Sequence, residues 1–246
     1  MIQFGRSIRW YNDYDEEVEF CRHHGFDFLQ IWYIKGDLAL DQVSAPKVQK
    51  VKEAGFPTII HAVLDIHEFE EHVPKIIDIL NYLEHKELII HPVCEGETIT
   101  AQSIYKLSEK VAKACELLKA QGIKLYIENN SRLDPINYTA EELAILFGQN
   151  KDVELLLDVA HIDSYEHLEE ILKIRKPHLL HVADKHFDVI HEHLPLGQGD
   201  MDYGLIFDSY LKDFEGRIIF EVVAEDDEII RSKKALQSIL YNEVDR

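Results

Sequence analysis

The chain has 246 residues, 46% of them hydrophobic, a size at which one α/β barrel or two smaller domains can bury a core. Forty-six acidic residues against 26 basic give a formal charge of −20, which weighs against a nucleic-acid partner held through its phosphates. Three scattered cysteines, Cys21, Cys94 and Cys115, exclude a disulfide framework or a cysteine-based zinc site and read as reduced, mostly buried thiols.

In chain order, short apolar runs alternate with longer amphipathic stretches, the pattern of repeated βα units. Strands are expected at Ile2–Phe4, Phe28–Trp32, Thr58–His61, Leu88–His91, Leu125–Glu128, Leu155–Asp158, Leu179–Val182 and Ile218–Val222. Helices are expected at Glu16–His24, Ala45–Ala54, Glu70–Glu84, Ser103–Gln121, Ala140–Phe147, Tyr165–Ile174, Tyr203–Lys212 and Asp227–Tyr241. Gly25, Gly55 and Gly122 stand where a helix stops and a strand is about to start, a position that favours the left-handed conformation.

No linker or low-complexity stretch divides the chain, so residues 1–246 read as one domain. Eight βα units in this length predict a closed (β/α)₈ TIM barrel, whose usual length is about 250 residues. A doubly wound open sheet is the alternative, but no glycine-rich phosphate loop follows the first strand. No segment approaches the roughly 18 uninterrupted apolar residues of a membrane span, and Met1 to Trp10 lacks an apolar signal region. The expected location is therefore cytoplasmic.

Polar residues recur where the strands end: His61, His91, Glu128, Asp158, His181 and Glu221 each follow an apolar run. In a barrel these ends converge on the face where active sites are built. Three carboxylates gathered there repel one another unless a cation neutralises them, and carboxylates mixed with imidazoles suit Mn²⁺, Zn²⁺ or Co²⁺ better than calcium. Taken singly, each residue is as readily a rim group meeting water. His161, just past Asp158, and His191 and His193, in the stretch ending at Gly199, add imidazoles near the same face for substrate or a second metal. His23, His24, His72, His85, His167 and His178 read as solvated or packing residues.

The segments Ile127-Glu128-Asn129, Leu157-Asp158-Val-Ala-His161, His181-Val-Ala-Asp184, His193-Leu-Pro-Leu-Gly-Gln-Gly-Asp-Met-Asp-Tyr203 and Phe220-Glu221-Val222 together resemble the xylose isomerase-like TIM-barrel superfamily. That superfamily includes sugar phosphate isomerases/epimerases and the deoxyribonuclease IV family of abasic-site endonucleases. In the isomerase branch the resemblance implies that Glu128, Asp158, His181 and Glu221 hold one metal and that His161 touches the substrate. Glu128 and Glu221 would also transfer the proton next to a carbonyl, by way of an enediolate. Asn129, Arg132 and Lys185 are weaker candidates for orienting a small carbohydrate substrate.

In the nuclease branch nine ligands hold three zinc ions. His61, His91, Glu128, Asp158, His161, His181, His193 and Glu221 match in type, while His191 replaces an aspartate. The readings, in order, are a metal-dependent sugar or polyol isomerase or epimerase, a zinc phosphodiesterase of the abasic-site type, and a metal-binding barrel without catalysis. A homo-oligomer paired through rim loops is compatible with this fold.

Overall fold

Every strand expected from the sequence forms in the computed structural model, which describes residues 2–40 and 45–241. The single-domain assignment of 1–246 therefore includes residues 1, 41–44 and 242–246, which lie outside the described residues. The strands are β1 (Gln3–Ser7), β2 (Phe28–Ile34), β3 (Thr58–Asp65), β4 (Glu87–Val93), β5 (Lys124–Glu128), β6 (Glu154–Asp158), β7 (Leu179–Val182) and β8 (Arg217–Phe220). The alternating helices are α1 (Tyr14–His23), α2 (Ala45–Ala54), α3 (Phe69–Leu83), α4 (Ala101–Ala120), α5 (Ala140–Gln149), α6 (Tyr165–Ile174), α7 (Tyr203–Leu205) and α8 (Asp226–Leu240).

All neighbouring strands pair in parallel, and β1 closes the barrel on β8 through Gln3–Arg6 against Arg217–Phe220. The (β/α)₈ expectation holds. Runs such as Leu155-Leu156-Leu157 are apolar throughout because parallel strands are buried on both faces, by the barrel interior and by the helices. Gly25, Gly55 and Gly122 sit at φ of +63°, +59° and +68°. Helix starts carry the expected caps: Thr139 and Glu142 form a capping box on α5, and Ser164 accepts from His167 N on α6.

Alternation with period two decides what the barrel contains. Phe28, Ile59, Ile89, Tyr126, Leu156, Leu179 and Ile219 form their own cluster, separate from the larger core between strands and helices. β1 contributes Gly5, where an added Cβ would stand 2.3 Å from the Phe28 ring. Below this plug, Arg217 pairs with Glu87, and the Tyr126 hydroxyl donates to Glu87 at 2.9 Å, closing the floor. Two residues above the plug on each strand stand Ser7, Gln30, His61, His91, Glu128, Asp158, His181 and Glu221. The inward layer toward the C-terminal face is therefore wholly polar.

Three expectations need adjustment. β3 and β4 run on to Asp65 and Val93, so His61 and His91 sit within their strands; the apolar texture continues past both, and Ala62–Asp65 stay paired with Ile90–Val93. The helix expected over Tyr203–Lys212 is one α turn followed by a wider π turn over Ile206–Tyr210, and Leu211 N donates to Ile206 O, five residues back. Of the cysteines, only Cys21 is buried; Cys94 and Cys115 are half-buried, and all three are free thiols. Among the described residues no helix is long and apolar enough to cross a membrane.

Truncating the plug should loosen the platform that carries the polar layer. Leu156→Ala is expected to cost about 2–5 kcal/mol in chemical denaturation, whereas Leu133→Ala on the exposed rim should stay within about 0.5 kcal/mol.

Candidate metal centre

Glu128 ends β5, Asp158 ends β6, His181 lies in β7, and Glu221 follows β8 directly. Each offers one ligand atom, and the four atoms lie within 4.8 Å of one another. His181 Nδ1 stands 2.9 Å from Glu128 Oε1, 2.8 Å from Glu221 Oε2 and 3.6 Å from Asp158 Oδ2. Glu128, Asp158 and His181 are fully buried, whereas Glu221 keeps a small exposed edge.

Neighbouring backbone holds these groups in place. Asn129 clamps β6 to β5: its amide donates to Asp158 O at 3.1 Å and its Oδ1 accepts from Asp158 N at 2.7 Å. Asp158 Oδ1 accepts from Ala160 N at 2.7 Å, leaving Oδ2 toward His181 and His193. Asn137 donates to Glu128 O at 2.6 Å. His161 Nδ1 donates to Asn129 O at 2.9 Å, which turns Nε2 into the interior, where it has no hydrogen-bond partner.

Burial alone would keep the carboxyls protonated, but surrounding imidazoles outweigh it. Burial opposes ionisation of Glu128, yet His181, His61 and His91 hold its carboxyl well below the usual range. Glu221 is likewise pushed down to about 2, mainly by His181 against burial. His91 responds in the opposite sense: burial disfavours its cation, but Glu128 at 2.9 Å and Asp134 at 3.3 Å raise it to about 10. Further out, burial with His193 and His161 pushes His191 down to about 4.

The donor set fits a divalent cation. It has three carboxylates and an imidazole with convergent atoms, and beside them a buried imidazole nitrogen lacking a hydrogen-bond partner. Three further groups have ligand spacing: His61 with His91 and Glu128, His61 with His181 and Glu221, and His161 with His191 and His193. The histidine arc expected from the sequence thus surrounds the four convergent groups. Above them opens a cleft of about 370 Å³, walled by Trp10, Tyr11, Trp32, Leu133 and Val223, with His61, His91, His161, His191, His193 and Glu221 at its base.

Three candidates do not reach this cleft. Asn129 is fully buried and committed to the Asp158 backbone. Lys185 is buried with Nζ donating to Ile162 O, and Arg132 is half exposed and paired with Asp163 at 2.9 Å. Conversely, Ser7, Gln30 and Asp134 belong to the site and were not singled out from the sequence. Ser7 and Gln30 were findable, because each lies two residues beyond an inward plug position on its strand; Asp134 sits in a loop whose path carries no such signal.

The family model described as xylose isomerase-like TIM barrel matches residues 18–240. Among curated proteins the sequence has no significant match. Similar solved structures include D-psicose 3-epimerase from Clostridium cellulolyticum H10, at 14% identity and TM-score 0.74 over 97% of this chain and 99% of that one. The 3-keto-D-glucoside 4-epimerase of E. coli is 19% identical with TM-score 0.70, covering 97% of this chain and 100% of its own. A probable 3-DHS dehydratase from Bacillus anthracis is 15% identical with TM-score 0.73, covering 98% and 100%. At such identities the likeness is one of fold.

Chelator-stripped protein should show a stability window set by these groups. Glu221, lowered from 4.5 to about 2, contributes stability above 4.5 that is lost as pH falls toward 2. His91, raised from 6.5 to about 10, contributes fully below 6.5 and loses its contribution as pH climbs through 10. Urea midpoints of the stripped protein are therefore expected to fall between pH 7 and 10, and His91→Asn should flatten that decline.

Proposed function

The chain belongs to the xylose isomerase-like TIM-barrel family, and on that premise we propose that it is a metal-dependent isomerase or epimerase of a small sugar or polyol. The observation that carries this reading is the placement of two carboxylates, Glu128 and Glu221, on the same imidazole nitrogen of His181 at the base of a cleft. Epimerases of ketoses and keto-glycosides are among the proteins of similar fold.

Glu128, Asp158, His181 and Glu221 would hold the divalent ion, Mn²⁺, Zn²⁺ or Co²⁺, which when bound supplies Lewis acidity toward a carbonyl and its neighbouring hydroxyl. Glu221 lines the cleft and is the carboxylate placed to take the proton from the carbon next to that carbonyl. Glu128 lies deeper, with Oε2 held by His61 and His91, and serves as the second carboxylate of the exchange. His161, His191 and His193 offer hydrogen bonds to substrate hydroxyls from one side of the cleft. Trp10, Tyr11 and Trp32 exclude water and offer flat apolar faces to the sugar ring.

The cleft also favours an unphosphorylated substrate. Among the described residues Arg9 is its one cation besides the histidines, and Arg9 is engaged by Glu17 at 3.1 Å and Asp226 at 2.7 Å. The charge of −20 adds to the same preference.

A second reading, a zinc phosphodiesterase of the abasic-site type, is favoured by the three additional groups with ligand spacing. The overall charge opposes it. Incubating metal-loaded protein with ketoses in D₂O separates the two: deuterium entering the carbon next to the carbonyl supports the isomerase reading. Cleavage of abasic duplex DNA without such exchange would replace it. Glu221→Gln is expected to lower kcat by about 10²–10⁴, and Glu128→Gln should abolish turnover together with metal retention; full activity in Glu221→Gln would remove the proton-transfer assignment.

A further inference from the structure

Gln30, on β2, is fully buried and stands between two of the histidines. Its Oε1 lies 2.7 Å from His181 Nε2 and its Nε2 lies 3.0 Å from His61 Nδ1. On both rings these are the nitrogens facing away from Glu128. The inward nitrogens are His181 Nδ1, facing Glu128 Oε1, and His61 Nε2, 3.0 Å from Glu128 Oε2.

A carboxamide has one accepting end and one donating end. A ring whose outer nitrogen donates to the oxygen keeps its inner nitrogen as a lone pair, free to ligate a metal. A ring whose outer nitrogen accepts from the NH₂ must, when neutral, carry its proton on the inner nitrogen, which then cannot ligate. Whichever way the amide is turned, Gln30 can therefore leave the inner nitrogen of only one of these two histidines free.

The surroundings decide which. The Gln30 nitrogen lies 3.4 Å from Glu221 Oε2 and 3.1 Å from Ser7 Oγ. An ionised carboxylate only accepts, so the NH₂ belongs at that end and the oxygen at His181. Glu221 is itself 3.9 Å from His61 Nδ1, too far to serve as an alternative acceptor for a proton there.

We propose that Gln30 is a positioning residue that selects His181 as a metal ligand and makes His61 a proton donor to Glu128, closing the His61–His91–Glu128 group to a metal. The proposal rests on the metal-dependent reading for the ion at His181, and it adds what restricts the number of ions. His61 then orients Glu128 by donating to Oε2, which leaves Oε1 toward His181. A glutamate at position 30 would accept from both outer nitrogens and free both inner ones.

The test counts metal in protein stripped with chelator, reloaded with Zn²⁺ and dialysed, alongside ¹⁵N spectra of histidine-labelled chain. His181→Ala should lose about one zinc per chain, His61→Ala should lose none, and Gln30→Glu should gain about one. The zinc-loaded wild type should show His61 protonated at Nε2 and His181 protonated at Nε2 with Nδ1 bound to zinc. Loss of about one zinc in His61→Ala, or a His61 proton on Nδ1, overturns the proposal while leaving the metal centre intact. A folded Gln30→Glu protein with no gain also overturns it, and if that variant does not fold, His61→Ala and the spectra still decide. An unchanged zinc count in His181→Ala would instead remove the underlying metal reading.

Discussion

Three carboxylates, Glu128, Asp158 and Glu221, stand within a few ångströms of one another in the closed end of a barrel, and two of them are sealed from water. Charge of one sign in a low-dielectric cup is tolerable only with compensation close by. In this molecule the compensation comes from imidazoles: His181 lies against all three carboxylates, while His61 and His91 hold the far oxygen of Glu128. Most other features of the C-terminal face make sense as support for that arrangement. Asn129 and Asn137 use their amides on backbone to fix the two strand ends that carry Glu128 and Asp158. Among the described residues five buried side-chain atoms lack a hydrogen-bond partner, and of these His161 Nε2 is the one beside the carboxylates of the cup.

The same period-two alternation produces both the plug and the cup. Seven apolar side chains and Gly5 fill the barrel at one level, and eight polar ones occupy the next. The lower level is rigid and dry, closed underneath by Arg217, Glu87 and Tyr126. Above it the polar side chains cannot sink further, so their positions are set by the barrel and not by the loops. The loops contribute the aromatic wall of Trp10 and Tyr11, and the pair His191 and His193. Strand-borne polar groups under a loop-built wall is the division of labour by which barrels of this fold serve many substrates.

Much of this was legible in the sequence. Continuous apolar runs such as Leu88-Ile89-Ile90 can only be two-face-buried strands when glycine stops and amphipathic helices separate them, so strand count and fold class followed. Glu128, Asp158, His181 and Glu221 stood out because each interrupts such a run where the strand ends. Gln30 and Ser7 did not. Gln30 sits between Leu29 and Ile31 inside an expected strand, where a lone amide carries no visible meaning, and Ser7 lay beyond the expected end of β1. Asn129, Arg132 and Lys185 cannot be placed from sequence for a different reason. Their partners, Asp158, Asp163 and Ile162, are distant in sequence, and the choice between a neighbour and the cleft is made only by tertiary packing. The π turn after α7 left no sequence trace either.

One imidazole and three carboxylates from β5 to β8 make up the proposed primary metal centre. X-ray absorption on protein loaded with a single equivalent of Co²⁺ tests it most directly, because imidazole ligands are counted by their outer-ring scattering. Oxygen-dominated coordination with about one imidazole per cobalt is the expected result. Two or three imidazoles per cobalt would place the ion in the histidine arc instead and contradict the assignment of Glu128, Asp158, His181 and Glu221.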